Sequence, residues 1–229
     1  YTTWRVGGSA EWFSEPTSID ELKALIIWSK EEKLSCKILG AGSNLLVSDA
    51  GVKGLTICLK KLNGYNINQE NGEIEAFSGE NIPALARRAA KAGLHGLEWA
   101  VGIPGTIGGG AVMNAGAQGG SFSDCIESVK VLPINGNKEF DISNIDLDYS
   151  YRKSRLQKND LIVISTKLKL EAGHDPKKIL FETNSNLHHR TKTQPYELPS
   201  CGSVFRNPNP YKAGKLIEEL GLKGLAIGG

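Results

Sequence analysis

Residues 101–120 read VGIPGTIGGGAVMNAGAQGG, and the fold turns on how this stretch is understood. It holds eight glycines, in a chain that has 27 among 229 residues, against a usual share of ~7%. Glycine weakens helices and strands alike, so a cluster needs a reason, either turns with positive φ or close approach of bare backbone to a ligand. Pro104-Gly105 predicts a type II turn. The interleaved Ile103, Ile107, Val112 and Met113 favour a packed segment over a flexible loop. Buried bare backbone needs hydrogen-bonding partners, and a large planar or diphosphate ligand would supply them. Asn114 offers such a ligand a donor.

Upstream lies a second bend of the same kind. A strand over Cys36–Leu39 runs into Gly40-Ala41-Gly42-Ser43-Asn44-Leu45. The dinucleotide fingerprint requires glycine at the sixth position, where this chain has Leu45, and no clear helix follows. No phosphate-binding GxxxxGK[ST] occurs. The segment is either a nest of backbone N–H groups for phosphate or a simple tight turn.

Two further clusters carry chemistry-bearing side chains. In Asp148–Ser154 (DYSYRKS), Arg152 beside Tyr151 could offer a guanidinium to a carboxylate with bidentate geometry. In Pro199–Pro208 (PSCGSVFRNP), Gly202 allows a sharp turn that exposes Ser203 or Cys201. No GxSxG surrounds any serine, which disfavours a serine hydrolase. Cys201 is more readily a small core residue than a nucleophile. His188-His189 lacks a second pair at metal spacing, and no metal is expected.

Around these segments the coarse reading is mixed α and β. Two short strands are expected around Gly7-Gly8, then a helix over Asp20–Lys33 capped by Ser18 with Glu21 as its capping-box partner. Strands follow at Cys36–Leu39 and Leu55–Leu59. A hairpin is expected over Tyr65–Ile67 and Ile74–Ser78, and a helix over Pro83–Ala92 that stops at Gly93. A second hairpin over Ser128–Pro133 and Lys138–Asp141, a strand over Leu161–Leu170 and helices over Pro176–His189 and Tyr211–Leu220 complete the chain, with a polar connector at Thr191–Pro199.

Composition narrows the function classes. There are 27 Lys+Arg against 25 Asp+Glu, for a formal net charge of +2, and the basic residues are scattered, which argues against a dedicated nucleic-acid binder. Mean hydropathy is −0.24 and no apolar run approaches the ~18 residues of a membrane span, so no membrane partner is expected. Cys36, Cys58, Cys125 and Cys201 are far apart, without a CxxC pair, as suits a reducing cytosol.

Taken in order, Thr3–Gly8 (TWRVGG), Leu39–Gly51 (LGAGSNLLVSDAG), Gly102–Gly116 (GIPGTIGGGAVMNAG), Tyr149–Ser154 (YSYRKS) and His189–Pro208 (HRTKTQPYELPSCGSVFRNP) resemble the UDP-N-acetylenolpyruvoylglucosamine reductase family of peptidoglycan precursor synthesis. The resemblance implies an α+β fold, with a two-lobed FAD-binding type 2 domain (vanillyl-alcohol-oxidase or PCMH-like) in residues 1–62 and 63–190. The beginning of an α+β substrate domain would occupy 198–229. It implies non-covalent FAD, NADPH as co-substrate, a UDP-sugar substrate, and a bacterial cytoplasmic monomer. Gly40, Ala41, Gly42, Ser43, Asn44 and Leu45 match the cradle of the FAD pyrophosphate. Gly102, Ile103, Pro104, Gly105, Thr106, Gly108, Gly109, Asn114 and Gly116 match the other wall around the flavin. Arg152 matches the arginine that holds the substrate carboxylate and stabilises the enolate, and Ser203 the serine that protonates the carbanion. Lys192 and Asn207 match positions that contact the UDP-sugar, with Tyr151 a lesser candidate.

Arg152 and Ser203 are 203 − 152 = 51 residues apart, which resembles the family type without an inserted loop over the nucleotide. Relatives continue past Gly228-Gly229 and carry there a glutamate that pairs with the serine. A chain ending at Gly229 is therefore expected to bind FAD without turning over. The competing readings are a flavin oxidase of the same fold, which often tethers FAD through His or Cys, and a nucleotide-binding module without redox chemistry.

Overall fold

The computed structural model describes residues 1–136, 138–158 and 160–228. Strand β1 (Ala10–Ser14), helix α1 (Ile19–Glu31), β2 (Cys36–Leu39) and β3 (Val52–Cys58) form a parallel three-stranded sheet in the order β1-β3-β2, with α1 as the crossover. Helix α1 begins where Ser18 Oγ accepts the Glu21 N–H at 3.2 Å. The Glu21 carboxylate reaches past the expected capping-box partner and accepts from Thr17 N–H at 2.7 Å. Leu22 and Ile26, four apart on one helix face, are fully buried against β3.

The second sheet is antiparallel, in the order β4-β5-β10-β8-β9. The hairpin of β4 (Tyr65–Asn68) and β5 (Glu73–Phe77) turns as expected through Asn71-Gly72, where Gly72 has φ +74°. Helix α2 (Ile82–Lys91) starts with Asn81 Oδ1 accepting from Ala84 N–H and ends at Gly93. Next in the chain are α3 (Ile107–Met113), the two-residue strands β6 (Gly116–Ala117) and β7 (Gly120–Ser121), and α4 (Phe122–Cys125). Strands β8 (Ile126–Pro133) and β9 (Phe140–Ser143) pair as the second hairpin, Val129 opposite Ile142. Strand β10 (Leu161–Lys169) is central and is bonded to β5 and β8. Its alternation serves two cores: Ile162 and Ile164 join the Leu22–Leu55 cluster, and Val163 and Leu168 the larger cluster under α2. Helix α5 (Pro176–Thr193) and the short α6 (Ala213–Glu219) complete the described chain.

Five expectations change. Residues 3–8 form no strand: Arg5 has φ +60°, and the segment bonds to the bend at 42–48 through Thr3 N–H to Gly42 O and Gly8 N–H to Ser48 O. Pro104-Gly105 is no type II turn, because Gly105 has φ +159°, well away from the ~+80° that turn requires. The glycine cluster contains a helix, α3. Helix α5 continues through Thr193, into the expected connector, while α6 is shorter than expected and buries none of its residues.

Candidate functional site

Both glycine bends line one cleft of about 1070 Å3. Its walls are residues 40–48 after β2, residues 103–106 and 108–110 at the start of α3, the end of α5, Arg152, and an arm that carries Cys201, Gly202, Ser203 and Asn207. Among the described residues the lining holds Lys37, Arg152, His189, Arg190 and Lys212 but no Asp or Glu. In a chain of near-balanced charge this is a site for a polyanion. Its volume exceeds the ~300–1,000 Å3 of ordinary small-ligand pockets.

The two bends touch. Ser43 Oγ donates to Pro104 O at 2.7 Å, so this hydroxyl serves as a tie between the walls. Helix α3 carries three successive glycines, the poorest helix formers after proline, and is held from outside. Thr106 caps its first turn, while Ile107 and Gly108 donate N–H to the carbonyls of Glu80 and Ser78 at 2.8 and 2.9 Å. A Cβ on Gly108 would lie 1.9 Å from Ser78 Oγ, so that glycine admits close packing of α3 on the end of β5. A Cβ on Gly109 would meet only Thr106 Oγ1, at 3.4 Å, and would stand in the cleft. Neighbouring glycines therefore answer different demands. Gly102 does not line the cleft; it is buried against the Arg190 side chain.

The carbonyls that end α3 are taken up by the 149–154 turn. Tyr149 Oη donates to Ala111 O at 3.0 Å and Ser154 Oγ to Val112 O at 2.6 Å. Burial pushes the Tyr149 phenol well above its ordinary pKa, with the nearby Cys125 adding to the effect, so it stays a neutral donor. Arg152 donates through one terminal nitrogen to Asn114 O at 3.4 Å and through the other to Gly116 O at 2.8 Å. Its guanidinium carbon lies 5.6 Å from the centre of the Tyr151 ring. Arg152 also borders a second cavity of about 390 Å3, which Tyr151 and Asn114 line and the main cleft does not share with them. The Asn114 amide, read in sequence as a ligand donor, is engaged instead with Ser150 O and Ser123.

The arm is pinned from two distant places. Thr3 Oγ1 donates to Ser200 O at 2.6 Å, and Tyr196 Oη to Gly102 O at 2.5 Å. Ser203 thereby lines the same cleft as Arg152. Asn207 Oδ1 accepts from Ala213 N–H at 3.0 Å, at the start of α6. Lys192 is exposed and outside the lining, whereas His189, Arg190 and Thr193 of the same helix line it. In the sequence His189 is weighed only as a metal ligand, and Arg190, Thr193, Gln118, Lys37 and Lys212 are absent from the site expected there; the i, i+4 spacing of His189 and Thr193 was the available signal. Cys36 lines the cleft, but burial raises its thiol pKa, which keeps it protonated and a poor nucleophile. Among the described residues no cluster of three or more metal-ligating side chains occurs, and no helix is long and apolar enough to cross a membrane.

A cationic cleft without carboxylates among its described residues, walled by bare backbone on this α+β frame, suits a dinucleotide, and the family match over residues 10–138 makes the chain an FAD-binding flavoprotein. Residues 10–138 match the FAD binding domain family, and residues 194–229 match the C-terminal domain of UDP-N-acetylenolpyruvoylglucosamine reductase. The chain belongs to the UDP-N-acetylenolpyruvoylglucosamine reductase family. It is 59% identical over 229 residues to the reductase of Prochlorococcus marinus (strain MIT 9313), covering 100% of this chain and 75% of that one. It is also 59% identical to that of Parasynechococcus marenigrum (strain WH8102), covering 77% of the relative. The crystal structure of the Thermus caldophilus enzyme superposes with a TM-score of 0.81 at 35% identity, covering all of this chain and 79% of that one.

Proposed function

We propose that this protein reduces the enolpyruvyl ether of UDP-N-acetylglucosamine to UDP-N-acetylmuramate, with FAD in the main cleft and NADPH as reductant. The observation that carries the reading is that Arg152 and Ser203 line the cleft formed by both glycine bends. Residues 1–62 and 63–190 are proposed as the two FAD-binding lobes, in keeping with the two sheets, and 198–229 as the first part of the substrate domain.

In this reading Gly40–Leu45 present backbone N–H groups to the pyrophosphate, and Ile103–Gly109 form the opposite wall. Bound FAD supplies the hydride carrier. Arg152 holds the substrate carboxylate, and its guanidinium answers the negative charge that builds beside it as the alkene accepts hydride. The two carbonyls behind Arg152 fix it beforehand, so that it does not have to reorganise during reaction. Ser203 gives its proton to the enolate carbon, a base strong enough for so weak an acid. Asn207, with Arg190, His189 and Lys212, is proposed to receive the anionic UDP-sugar, and Lys192 and Tyr151 to meet it beyond the lining of the main cleft.

The test is anaerobic spectroscopy of the full-length enzyme. NADPH should bleach the flavin band, and the enolpyruvyl UDP-sugar should restore it. A flavin that bleaches but is not reoxidised by this substrate would overturn the assignment. Acid denaturation should release free yellow flavin, and retained colour would favour the tethered oxidase.

A further inference from the structure

We propose, resting on the assignment of Arg152 to the substrate carboxylate, that Asn114 is a positioning residue for Arg152 and not a contact of FAD. Arg152 is held at φ +56°, a conformation that costs a non-glycine residue free energy and persists only where its surroundings dictate it. The turn around it is closed on itself by two backbone bonds, Ser150 N–H to Lys153 O at 3.1 Å and Lys153 N–H to Ser150 O at 3.0 Å. Those bonds set the shape of the turn but do not attach it to the body of the protein.

Asn114 attaches it twice. Its side-chain Nδ2 donates to Ser150 O at 3.0 Å, at the base of the turn. Its main-chain carbonyl accepts from the Arg152 guanidinium at 3.4 Å. Both are available because Asn114 is the left-handed cap of α3, at φ 41° and ψ 56°. Asparagine tolerates that conformation better than most side chains. The amide cannot turn over, because the Ser123 N–H donates to Oδ1 at 3.0 Å. A flipped amide would set nitrogen against that N–H and oxygen against the Ser150 carbonyl. Asn114 is 6% exposed, so its amide is spent on these protein partners. Gln157 Nε2 assists from the other side by donating to Arg152 O at 3.1 Å. A catalytic group displaced by ~1 Å loses about 100-fold in rate, and such a displacement is the expected result of releasing the base of this turn.

Two variants of the full-length holoenzyme test the inference. Asn114→Gly retains the left-handed backbone and the carbonyl but removes the amide. Asn114→Asp retains the acceptor for Ser123 and opposes an oxygen to the Ser150 carbonyl. Both are expected to retain FAD and to be reduced by NADPH within about 2-fold of the wild-type rate. Reoxidation by the enolpyruvyl UDP-sugar should slow by about 10- to 100-fold. Calorimetric titration with UDP-N-acetylmuramate, whose carboxylate Arg152 is to hold, should show affinity weakened by about 10-fold. Wild-type reoxidation in Asn114→Gly would overturn the inference. Loss of FAD, of both half-reactions together, or of folded protein in both variants would also overturn it, by making Asn114 a cofactor or scaffold residue. Arg152→Ala is run beside them. If it leaves reoxidation unchanged, the assignment of Arg152 fails and the role of Asn114 with it; if it slows reoxidation and the Asn114 variants do not, only the role of Asn114 fails.

Discussion

Gly108 and Gly109 are adjacent, and alanine at each should produce opposite phenotypes. At Gly108 the new Cβ would lie 1.9 Å from Ser78 Oγ, 2.9 Å from Ser78 Cβ and 3.2 Å from Ser78 Cα. Rotating the hydroxyl relieves only the first contact, because Ser78 is buried and its backbone is bonded to Ile164 O and to Gly108 N–H. Overpacking of this kind costs ~1–3 kcal/mol, of which the better helix propensity of alanine returns up to ~1 kcal/mol. The remaining loss, up to about 2 kcal/mol, corresponds to a Tm lower by up to roughly 8 °C for a chain of this size. At Gly109 the Cβ meets only Thr106 Oγ1 at 3.4 Å, so nothing in the protein resists it. Gly109→Ala should keep or raise the Tm of the flavin-free protein, by up to ~1 kcal/mol of helix propensity. It should weaken FAD binding by about 10-fold or more, since the methyl group occupies the surface that the ligand needs. Differential scanning calorimetry of the flavin-free protein, with fluorescence titration of FAD, reads both quantities. If Gly109→Ala binds FAD as wild type, the cleft beside α3 is not the flavin site. If Gly108→Ala is as stable as wild type, the packing account of that glycine fails.

Other substitutions separate the parts of the cleft. Ser43→Ala removes the tie to Pro104 O at a cost of ~0.5–1.5 kcal/mol, and should raise the FAD dissociation constant about 2- to 10-fold in the same titration. Arg152→Lys should lower kcat by ~10²–10³-fold with flavin content unchanged, because a single ammonium cannot bond the carbonyls of residues 114 and 116 and also a carboxylate in the plane of a fork. Alkaline stability should report the thiols. Burial pushes Cys125 up to about 12, with Asp124 adding, and burial also raises Cys58 and Cys36. The folded state thus favours the uncharged thiols; their contribution is complete below the unfolded thiol pKa of ~8.5 and declines as pH rises above it. Urea midpoints measured between about pH 8 and pH 11 should fall, and Cys125→Ala should flatten that slope.

The frame was legible because its signals are local. Ser18 with the Leu22 and Ile26 stripe specifies α1, Asn71-Gly72 specifies the first hairpin, and the apolar run of β10 marks a strand buried on both faces. What escaped the sequence depends on distant partners. Three successive glycines in Ile107–Met113 argue against a helix, yet Glu80 and Ser78 hold one end of α3, and Tyr149 and Ser154 the other. Trp4-Arg5-Val6 alternates like a strand, but Arg5 leaves the extended region and the segment bonds to the first bend. Of the site residues, Gly40–Leu45, Ile103–Thr106, Gly108 and Gly109 are brought into one cleft with Arg152, Ser203 and Asn207. The engagement of the Asn114 amide escaped the sequence because a side chain committed to a turn 36 residues away leaves no mark in its own neighbourhood. The composition of the connector concealed the last turn of α5, which carries Thr193 one turn beyond His189 on the face that lines the cleft.

The smaller cluster joins Leu22 and Ile26 of α1 and Leu55 and Ile57 of β3 to Leu132, Ile162 and Ile164 of the second sheet. Neither half can therefore fold by itself without exposing that face, and the two should melt together as one cooperative unit. The spacing between the bends is then built in during folding, before any ligand arrives. Methyl-sized cavities cut into this seam, far from the cleft, should loosen the grip on the dinucleotide while leaving every residue that touches it in place.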